Sequence, residues 1–265
     1  MTKLVDYHLH SDSSPDCPIP MATQCERAIE LGVEEICFTE HLDLDPRDLA
    51  EGCLDDDRYT REIHAARERF GPRLTVRQGV ELGEGHRFLS EAQQRLLTRQ
   101  YDFVLGSIHW TDHLCLGAPF TPDISREQLY GRYFTQLLDL STKDFYDVIA
   151  HFDLAKRYGV AHFGPFDPHD YEEEIRTILR NLIERGKGIE INTSGWRQPP
   201  QETLPGPMVL KWYHEMGGEI LTMGSDSHRP QHLAYRMGDA YDLARAVGFK
   251  AITVFDQRQP RSIDL

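Results

Sequence analysis

The chain has few cysteines and no long apolar segment, and both absences narrow the class of protein. Five cysteines are scattered over 265 residues without any Cys-x-x-Cys pair, so the sequence does not indicate a disulfide framework. No run of about 18 apolar residues occurs, which argues against a transmembrane helix. The first residues, MTKLVDYHLHS, contain no apolar signal core. We therefore expect a cytoplasmic protein with reduced thiols and no membrane partner.

Positive charge is also scarce. The chain carries 29 lysines and arginines against 43 aspartates and glutamates, a formal net charge of −14. Such an acidic chain repels phosphate backbones, which disfavours a nucleic-acid partner. An anionic substrate must then be attracted by charges outside this count, and bound metal cations would supply them.

Short β-rich runs alternate with amphipathic stretches along the whole chain. The predicted strands are 3–10, 34–41, 74–82, 102–110, 146–153, 188–195, 219–228 and 249–255. The predicted helices are 21–31, 58–69, 86–99, 125–140, 170–186, 206–217 and 231–247. This alternation indicates parallel strands covered by helices, closed into an α/β barrel, with a doubly wound open sheet as the alternative. No Gly-x-Gly-x-x-Gly turn follows the first strand, so a dinucleotide-binding fold is not indicated.

Three aspartates, Asp55, Asp56 and Asp57, precede the predicted helix 58–69 and would cap its free N–H groups. No repeat, low-complexity stretch or linker interrupts the pattern. We expect a single domain over residues 1–265.

Histidines and carboxylates concentrate at the C-terminal ends of the predicted strands. The potential ligands there are His8, His10, His41, Glu81, His109, His151, Asp226 and His228. Parallel α/β folds gather these ends on one face, so side chains distant in sequence should converge. Strand side chains alternate, so His8 and His10 point the same way. Of the adjacent Glu40 and His41, we expect His41 to face inward and Glu40 to orient a ligand histidine.

Imidazole and carboxylate ligands without cysteine suit zinc, manganese or iron. Eight ligands are too many for one ion, so the sequence predicts two or three divalent ions, with Glu81 and Asp226 as bridging carboxylates. The remaining histidines are expected to be exposed or structural, although His86 and His113 lie close enough to strand ends to line a pocket.

With these residues identified, the chain resembles the polymerase and histidinol phosphatase (PHP) superfamily, and within it the PHP-type histidinol phosphatases. The resemblance rests on seven segments in family order: DYHLHSDSSPD, EEICFTEH, GVELG, VLGSIHW, IAHFDL, EINTSG and GSDSH. It implies a distorted (β/α)7 TIM-like barrel, a trinuclear metal site and phosphoester hydrolysis in histidine biosynthesis.

The resemblance also implies how the ligands are shared. The first metal would be bound by His8, His10, Glu81 and Asp226; the second by Glu81, His109 and His151; and the third by Asp16, His41 and His228. Some members of the superfamily have histidine in place of Asp16, and a carboxylate there adds negative charge.

We expect in-line attack on a phosphate monoester by a hydroxide that bridges two metals, with Glu81, Asp226 and His228 as the catalytic residues. Arg197 is the first candidate to bind the phosphate and Arg157 the second, because a guanidinium matches phosphate oxygens. The proton for the leaving alcohol would come from a metal-bound water or a cluster histidine. In L-histidinol phosphate the amine would be bound by Asp153 or Glu84.

Three alternatives remain at this stage. Another PHP phosphoesterase would act on nucleotides or phosphotyrosine. An amidohydrolase-like barrel would cleave C–N bonds, but it often needs a modified lysine bridge, for which Lys156 and Lys187 are poorly placed in the sequence. A non-catalytic protein would bind metal without turnover. The sequence does not indicate an oligomeric state.

Overall fold

The computed structural model describes residues 3–112, 114–116 and 124–265. The strands are β1 (Val5–Leu9), β2 (Glu35–Asp43), β3 (Thr75–Gly83), β4 (Phe103–Ser107), β5 (Trp110–Thr111), β6 (Leu114–Cys115), β7 (Val148–Ile149), β8 (Gly188–Asn192), β9 (Leu221–Gly224), β10 (Ala251–Asp256) and β11 (Gln259–Asp264). Seven of them form one parallel sheet in the order β1-β2-β3-β4-β7-β8-β9. Their residues are almost all buried, as expected for parallel strands covered by helices.

Helices follow the strands along the chain. They are α1 (Met21–Glu30), α2 (Asp56–Phe70), α3 (Leu89–Leu97), α4 (Arg126–Ser141), α5 (Ala155–Phe163), α6 (Glu172–Glu184), α7 (Pro207–Glu215) and α8 (Met237–Val247). The Asp55 side chain accepts hydrogen bonds from the N–H groups of Asp57 and Arg58, which confirms the predicted cap of α2. Within the described part of the chain, no helix combines the length and apolar character needed to cross a membrane.

The first and last strands of the sheet approach each other at their C-terminal ends. Leu9 and Ser227 form an isolated parallel bridge. The N–H of His10 donates to the carbonyl of Ser227 (2.9 Å), and the N–H of Asp226 donates to the carbonyl of His8 (2.7 Å). These contacts nearly close the sheet, so the predicted distorted (β/α)7 barrel is confirmed. The seam joins two of the strand ends that carry predicted ligands.

The eighth predicted strand, 249–255, corresponds to β10 and lies outside the barrel. It pairs with β11 as an antiparallel hairpin. The N–H of Phe255 donates to the Tyr7 hydroxyl (3.0 Å). Arg258, in the turn of the hairpin, forms an ion pair with Asp147, which directly precedes β7. The hairpin therefore covers the N-terminal end of the barrel, opposite the predicted ligands.

Two elements differ clearly from the sequence prediction. The predicted strand 146–153 is reduced to the two residues of β7, because the chain turns at His151, whose φ is +23°. Helix α5 was not predicted, because Gly159 and a short apolar pattern argue against a helix there. That glycine allows close packing: a Cβ at Gly159 would overlap the Tyr130 hydroxyl on α4.

Candidate metal centre and its cavity

The side chains predicted to bind metal meet at the C-terminal end of the barrel. They are His8, His10, Asp16, His41, Glu81, His109, His151, Asp226 and His228. Each has a nitrogen or oxygen within 3.6 Å of an ionisable atom on another member. Eight of them stand at the ends of strands or just beyond, and Asp16 comes from the loop after β1. We call these nine residues the ligand cluster.

Glu81 occupies the centre of the ligand cluster. Its Oε1 lies 2.7 Å from His151 Nε2 and 3.2 Å from His109 Nε2. Its Oε2 lies 3.2 Å from His8 Nε2 and 3.4 Å from His41 Nδ1. The two oxygens of one buried carboxylate thus face two different groups of histidines. This is the geometry that a bridging ligand needs.

Asp226 joins the cluster from the loop after β9. Its Oδ1 lies 3.8 Å from His10 Nε2 and 3.9 Å from His8 Nε2. The backbone of Asp226 has φ of +54°, a conformation uncommon for residues other than glycine. The Asp6 carboxylate stabilises this turn, because it accepts hydrogen bonds from the N–H (2.9 Å) and hydroxyl of Ser225. A strained backbone held in this way aims the Asp226 carboxylate at the histidines.

Asp16 lies on the more exposed side of the ligand cluster. Its Oδ2 lies 2.9 Å from His228 Nε2 and 3.5 Å from His41 Nε2. The ring of His10 stacks between the other two rings, with centroids 4.1 Å from His228 and 4.4 Å from His41. Half of the Asp16 side chain is exposed, so this third group of ligands faces the solvent side of the cluster.

The donor atoms of the ligand cluster fit divalent ions. The Nε2 atoms of His8 and His10 are buried and make no hydrogen bond, which is costly unless another partner is bound. Sets such as His8, His10 and Asp226 bring donor atoms within 4.8 Å of one another. Nitrogen and carboxylate donors without thiolate are the ligands of zinc, manganese and iron.

Asp43, which the sequence analysis did not identify, lies close to two histidines of the cluster and forms a hydrogen bond with one of them, His109. Its Oδ1 lies 2.6 Å from His109 Nδ1, and its Oδ2 lies 3.2 Å from His41 Nδ1. A carboxylate bonded to Nδ1 fixes the ring and leaves Nε2 for a metal, as His109 requires. Because Asp43 stands two residues after His41 on the same strand, the period of two was an available signal.

Glu190 on β8 was also missed. Its Oε1 lies 2.8 Å from His8 Nδ1, and its Oε2 accepts a hydrogen bond from the N–H of His151 (2.8 Å). This single buried carboxylate therefore positions ligands on two strands. A glutamate between two isoleucines of a buried strand was a detectable signal, because an ionisable residue is seldom buried without a partner.

Glu40, predicted to orient a histidine, does so through a serine. The Glu40 carboxylate accepts hydrogen bonds from the hydroxyls of Ser11 and Ser14, both at 2.6 Å. The Ser14 hydroxyl in turn lies 3.2 Å from His10 Nδ1 and accepts from the N–H of His41 (3.0 Å). Glu40 therefore fixes the loop that carries Asp16.

The charges of the ligand cluster favour cations. Burial would raise the pKa of Glu81, but the charges of His8 and His109 hold it well below its ordinary value. Burial, with the charges of His228 and His41, lowers the pKa of His10 well below normal, which favours the neutral imidazole that binds metal. The ionised carboxylates draw positive charge into the cluster, and divalent cations would meet that requirement.

The two predicted phosphate-binding arginines take different positions. Arg157, on the first turn of α5, lines the cavity above the cluster, and its Nη2 donates to Asp226 Oδ2 (3.0 Å) and to the Ser194 hydroxyl. The Nη2 of Arg197 donates to the backbone carbonyl of Asp226 (2.6 Å), and its side chain is not among the residues that line the cavity. Arg157, the second candidate, is therefore better placed than Arg197 to bind a phosphate in the cavity.

The carboxylates predicted to bind an amine do not reach the cavity. Asp153 is buried and forms an ion pair with Lys156 (2.8 Å). Glu84 accepts hydrogen bonds from the N–H groups of His109 (2.6 Å) and Trp110 (2.9 Å). Burial raises the pKa of Glu84 to about 8. Neither residue is among the described residues that line the cavity, so the geometry does not support this prediction.

A cavity of about 600 Å³ opens above the ligand cluster. Its outer wall includes Arg47, Asp48, Leu49, Trp110, Leu116 and Tyr158. His86 is buried against Gln136 (Nε2 to Oε1, 2.8 Å) and does not line this cavity, while His113 lies outside the described residues. No lysine is among the described lining residues, so the modified lysine bridge of an amidohydrolase has no candidate here.

Comparisons with known proteins agree with this geometry. Histidinol-phosphatase of Lactococcus lactis is 29% identical over 96% of this chain and 94% of its own. A probable histidinol-phosphatase of Clostridium acetobutylicum is 30% identical over 96% of this chain and 97% of its own. The crystal structure of the L. lactis histidinol phosphate phosphatase, complexed with zinc, L-histidinol and phosphate, superposes with a TM-score of 0.90 at 29% identity. It covers 98% of this chain and 99% of that one.

The family model of the PHP domain matches residues 6–194, which contain seven of the nine residues of the ligand cluster. Asp226 and His228 follow that range and complete the cluster at the seam of the barrel. The chain belongs to the PHP domain family.

Proposed function

We propose that this protein is a metal-dependent histidinol-phosphatase, which hydrolyses L-histidinol phosphate to L-histidinol and phosphate. The observation that carries the proposal is the ligand cluster at the base of a cavity that also presents Arg157. The similarity over nearly the whole chain to histidinol-phosphatases supports the substrate. A cavity of about 600 Å³ suits a small phosphorylated metabolite.

We propose that two or three divalent ions bind in the cluster, zinc being favoured among zinc, manganese and iron by the related crystal structure. The first group of ligands is His8, His10, Glu81 and Asp226. The second is Glu81, His109 and His151, and the third is Asp16, His41 and His228. When bound, such ions polarise phosphoryl oxygens and lower the pKa of bound water.

The protein's own residues would position the substrate and the ions. Glu81 Oε1 and Oε2 face different histidines and so fix the spacing between the first two groups. Asp226 connects the cluster to the phosphate site, because Oδ1 faces His8 while Oδ2 accepts from Arg157. The guanidinium of Arg157 would donate to a phosphoryl oxygen, and the Arg197 bond to the Asp226 carbonyl would keep that carboxylate aimed. His228 at the rim completes the catalytic set.

The function is tested by phosphate release from purified protein of known metal content. The panel is L-histidinol phosphate, AMP, phosphotyrosine and a phosphodiester. We expect strong preference for L-histidinol phosphate with two to three metals per chain. Preference for another ester would show that the protein is a phosphoesterase with a different substrate. No phosphate release from any ester by metal-replete protein would refute the proposal.

Substitution of Arg157 and of Arg197 should distinguish their roles in catalysis. Arg157→Lys loses the planar guanidinium that would bind phosphate, so we expect kcat/KM to fall roughly 10- to 100-fold, equivalent to about 1.5–3 kcal/mol. Arg197→Lys can keep one bond to the Asp226 carbonyl, and its loss should be smaller. Steady-state kinetics and metal analysis of both variants check this. A larger loss in Arg197→Lys would restore Arg197 as the principal phosphate ligand.

Glu190 provides a test of how the histidines are oriented. Glu190→Gln removes the charge at His8 Nδ1, and we expect metal affinity to fall on the order of 10- to 100-fold. The matched control is Glu35→Gln, a glutamate equally buried at the opposite end of the barrel. Competition with a metallochromic chelator gives the affinities. Equal effects of both substitutions would show that Glu190 acts on stability alone.

A further inference from the structure

Asp48, in the loop between β2 and α2, lines the outer part of the cavity. Four other carboxylates among the described lining residues contact histidines of the ligand cluster: Asp16, Asp43, Glu81 and Asp226. Asp48 has no such contact in the described structure. Its negative charge therefore faces the part of the cavity that a substrate would fill beyond its phosphate.

The Asp48 carboxylate is held in one orientation. Its Oδ1 accepts a hydrogen bond from the N–H of Ala50 (2.8 Å), and its Oδ2 accepts one from the indole Nε1 of Trp110 (2.7 Å). Each oxygen keeps a further lone pair for a ligand. Trp110 directly follows His109 of the ligand cluster. The hydrogen bond from its indole therefore holds Asp48 next to a candidate metal ligand.

Trp110 is itself fixed as a flat wall of the cavity. The guanidinium carbon of Arg47 lies 4.5 Å from the centroid of the Trp110 ring. Arg47 is bound in turn by both oxygens of Asp45, with Nε to Oδ1 at 2.7 Å and Nη2 to Oδ2 at 2.5 Å. Beside it, Leu49 is 93% exposed although apolar. A fixed carboxylate beside aromatic and aliphatic surface suits a ligand that carries a cationic nitrogen next to a flat ring.

We propose that Asp48 binds the ammonium group of the substrate's leaving alcohol, while the heteroaromatic ring of that alcohol packs against Trp110. This proposal rests on the proposed function, which directs the phosphoryl group to the ligand cluster and the amino alcohol to the outer wall. Of the two nitrogen-bearing groups of L-histidinol, an amine with a pKa of about 8 is mostly charged at pH 7, whereas an imidazole with an ordinary pKa of about 6.5 is mostly neutral. The ammonium is therefore the group that a carboxylate selects.

The test compares L-histidinol phosphate with its des-amino analogue, 3-(imidazol-4-yl)propyl phosphate. In Asp48→Asn, we expect the ratio of kcat/KM for the first ester to that for the second to fall on the order of 10- to 100-fold. The matched control is Asp112→Asn, which removes the same charge from a half-exposed aspartate that does not line the cavity. Its ratio should equal that of the wild-type protein.

Further measurements keep the proposal falsifiable. Trp110→Phe removes the indole donor but leaves the carboxylate, so it should change the ratio less than Asp48→Asn does. The proposal would be overturned if Trp110→Phe changed the ratio as much as Asp48→Asn does, or if Asp48→Asn left the ratio unchanged. Calorimetric binding of the product L-histidinol in the presence of phosphate, by wild-type and Asp48→Asn protein, needs no turnover. It tests Asp48 even if L-histidinol phosphate is not hydrolysed, which would refute the proposed function separately.

Discussion

Replacing Glu81 with glutamine should abolish nearly all phosphatase activity, with kcat reduced roughly a thousandfold or more. Glu81 places one oxygen 2.7 Å from His151 and the other 3.2 Å from His8, and glutamine offers only one oxygen and no charge. Loss of a bridging carboxylate should weaken two metal sites together. A loss of about 4 kcal/mol of transition-state stabilisation corresponds to this factor. Metal analysis alongside kinetics should show fewer than two ions per chain.

Ser107→Ala is the matched control for Glu81→Gln. It removes a hydroxyl that donates to Glu81 Oε1 (2.7 Å) but retains the carboxylate, so activity should fall far less. Circular dichroism of both variants checks that the barrel remains folded. Glu81→Gln with normal metal content and only a modest loss of kcat would contradict the bridging role.

Removal of metal by a chelator should eliminate turnover and lower the melting temperature while leaving the barrel folded. Ions bound as proposed would neutralise the carboxylates of Glu81 and Asp226 and would satisfy the buried imidazole nitrogens of His8 and His10. One site occupied at 100 times its Kd contributes about 2.7 kcal/mol of stability. For a chain of this size we therefore expect a decrease in Tm of at least about 5 °C. Far-ultraviolet circular dichroism should stay unchanged, since the apolar core does not include the cluster.

Readdition of zinc, manganese or iron(II) to the chelated protein, one metal at a time, serves as the control for irreversible damage. Recovery of both activity and Tm identifies the ions that the cluster accepts. Full activity in the presence of a chelator, with no metal detected in the protein, would exclude a metal-dependent reaction.

The convergence of the candidate ligands was predictable because it depends on two strong regularities. Parallel strands end on one face of the barrel, and side chains alternate along each strand. These two rules alone predict that His8, His10, His41 and Glu81 lie close together, with no need for measured distances. Asp16 could not be derived this way, since it lies on a loop. It followed from the family resemblance.

The orienting carboxylates and the arginines were harder to predict. Asp43 and Glu190 act through contacts between strands that sequence order does not reveal, although each has a local signal. Arg157 lies on α5, and Gly159 lowers the helix propensity of this segment. The same glycine allows α5 to pack closely against α4. Because α5 is not predicted, the position of Arg157 above the cluster could not be inferred. The sequence therefore favours Arg197 as the residue that binds the phosphate.

The hairpin of β10 and β11 has a consequence for the order of events in each catalytic cycle. It covers the N-terminal end of the barrel, so the cavity opens beyond the opposite end of the strands. With the phosphoryl group at the cluster and the amino alcohol toward the opening, as proposed, L-histidinol leaves first. Phosphate then departs along the same route, and only the enzyme that has lost its phosphate can bind the next substrate. Free phosphate in the cell would thus set the fraction of enzyme ready to work.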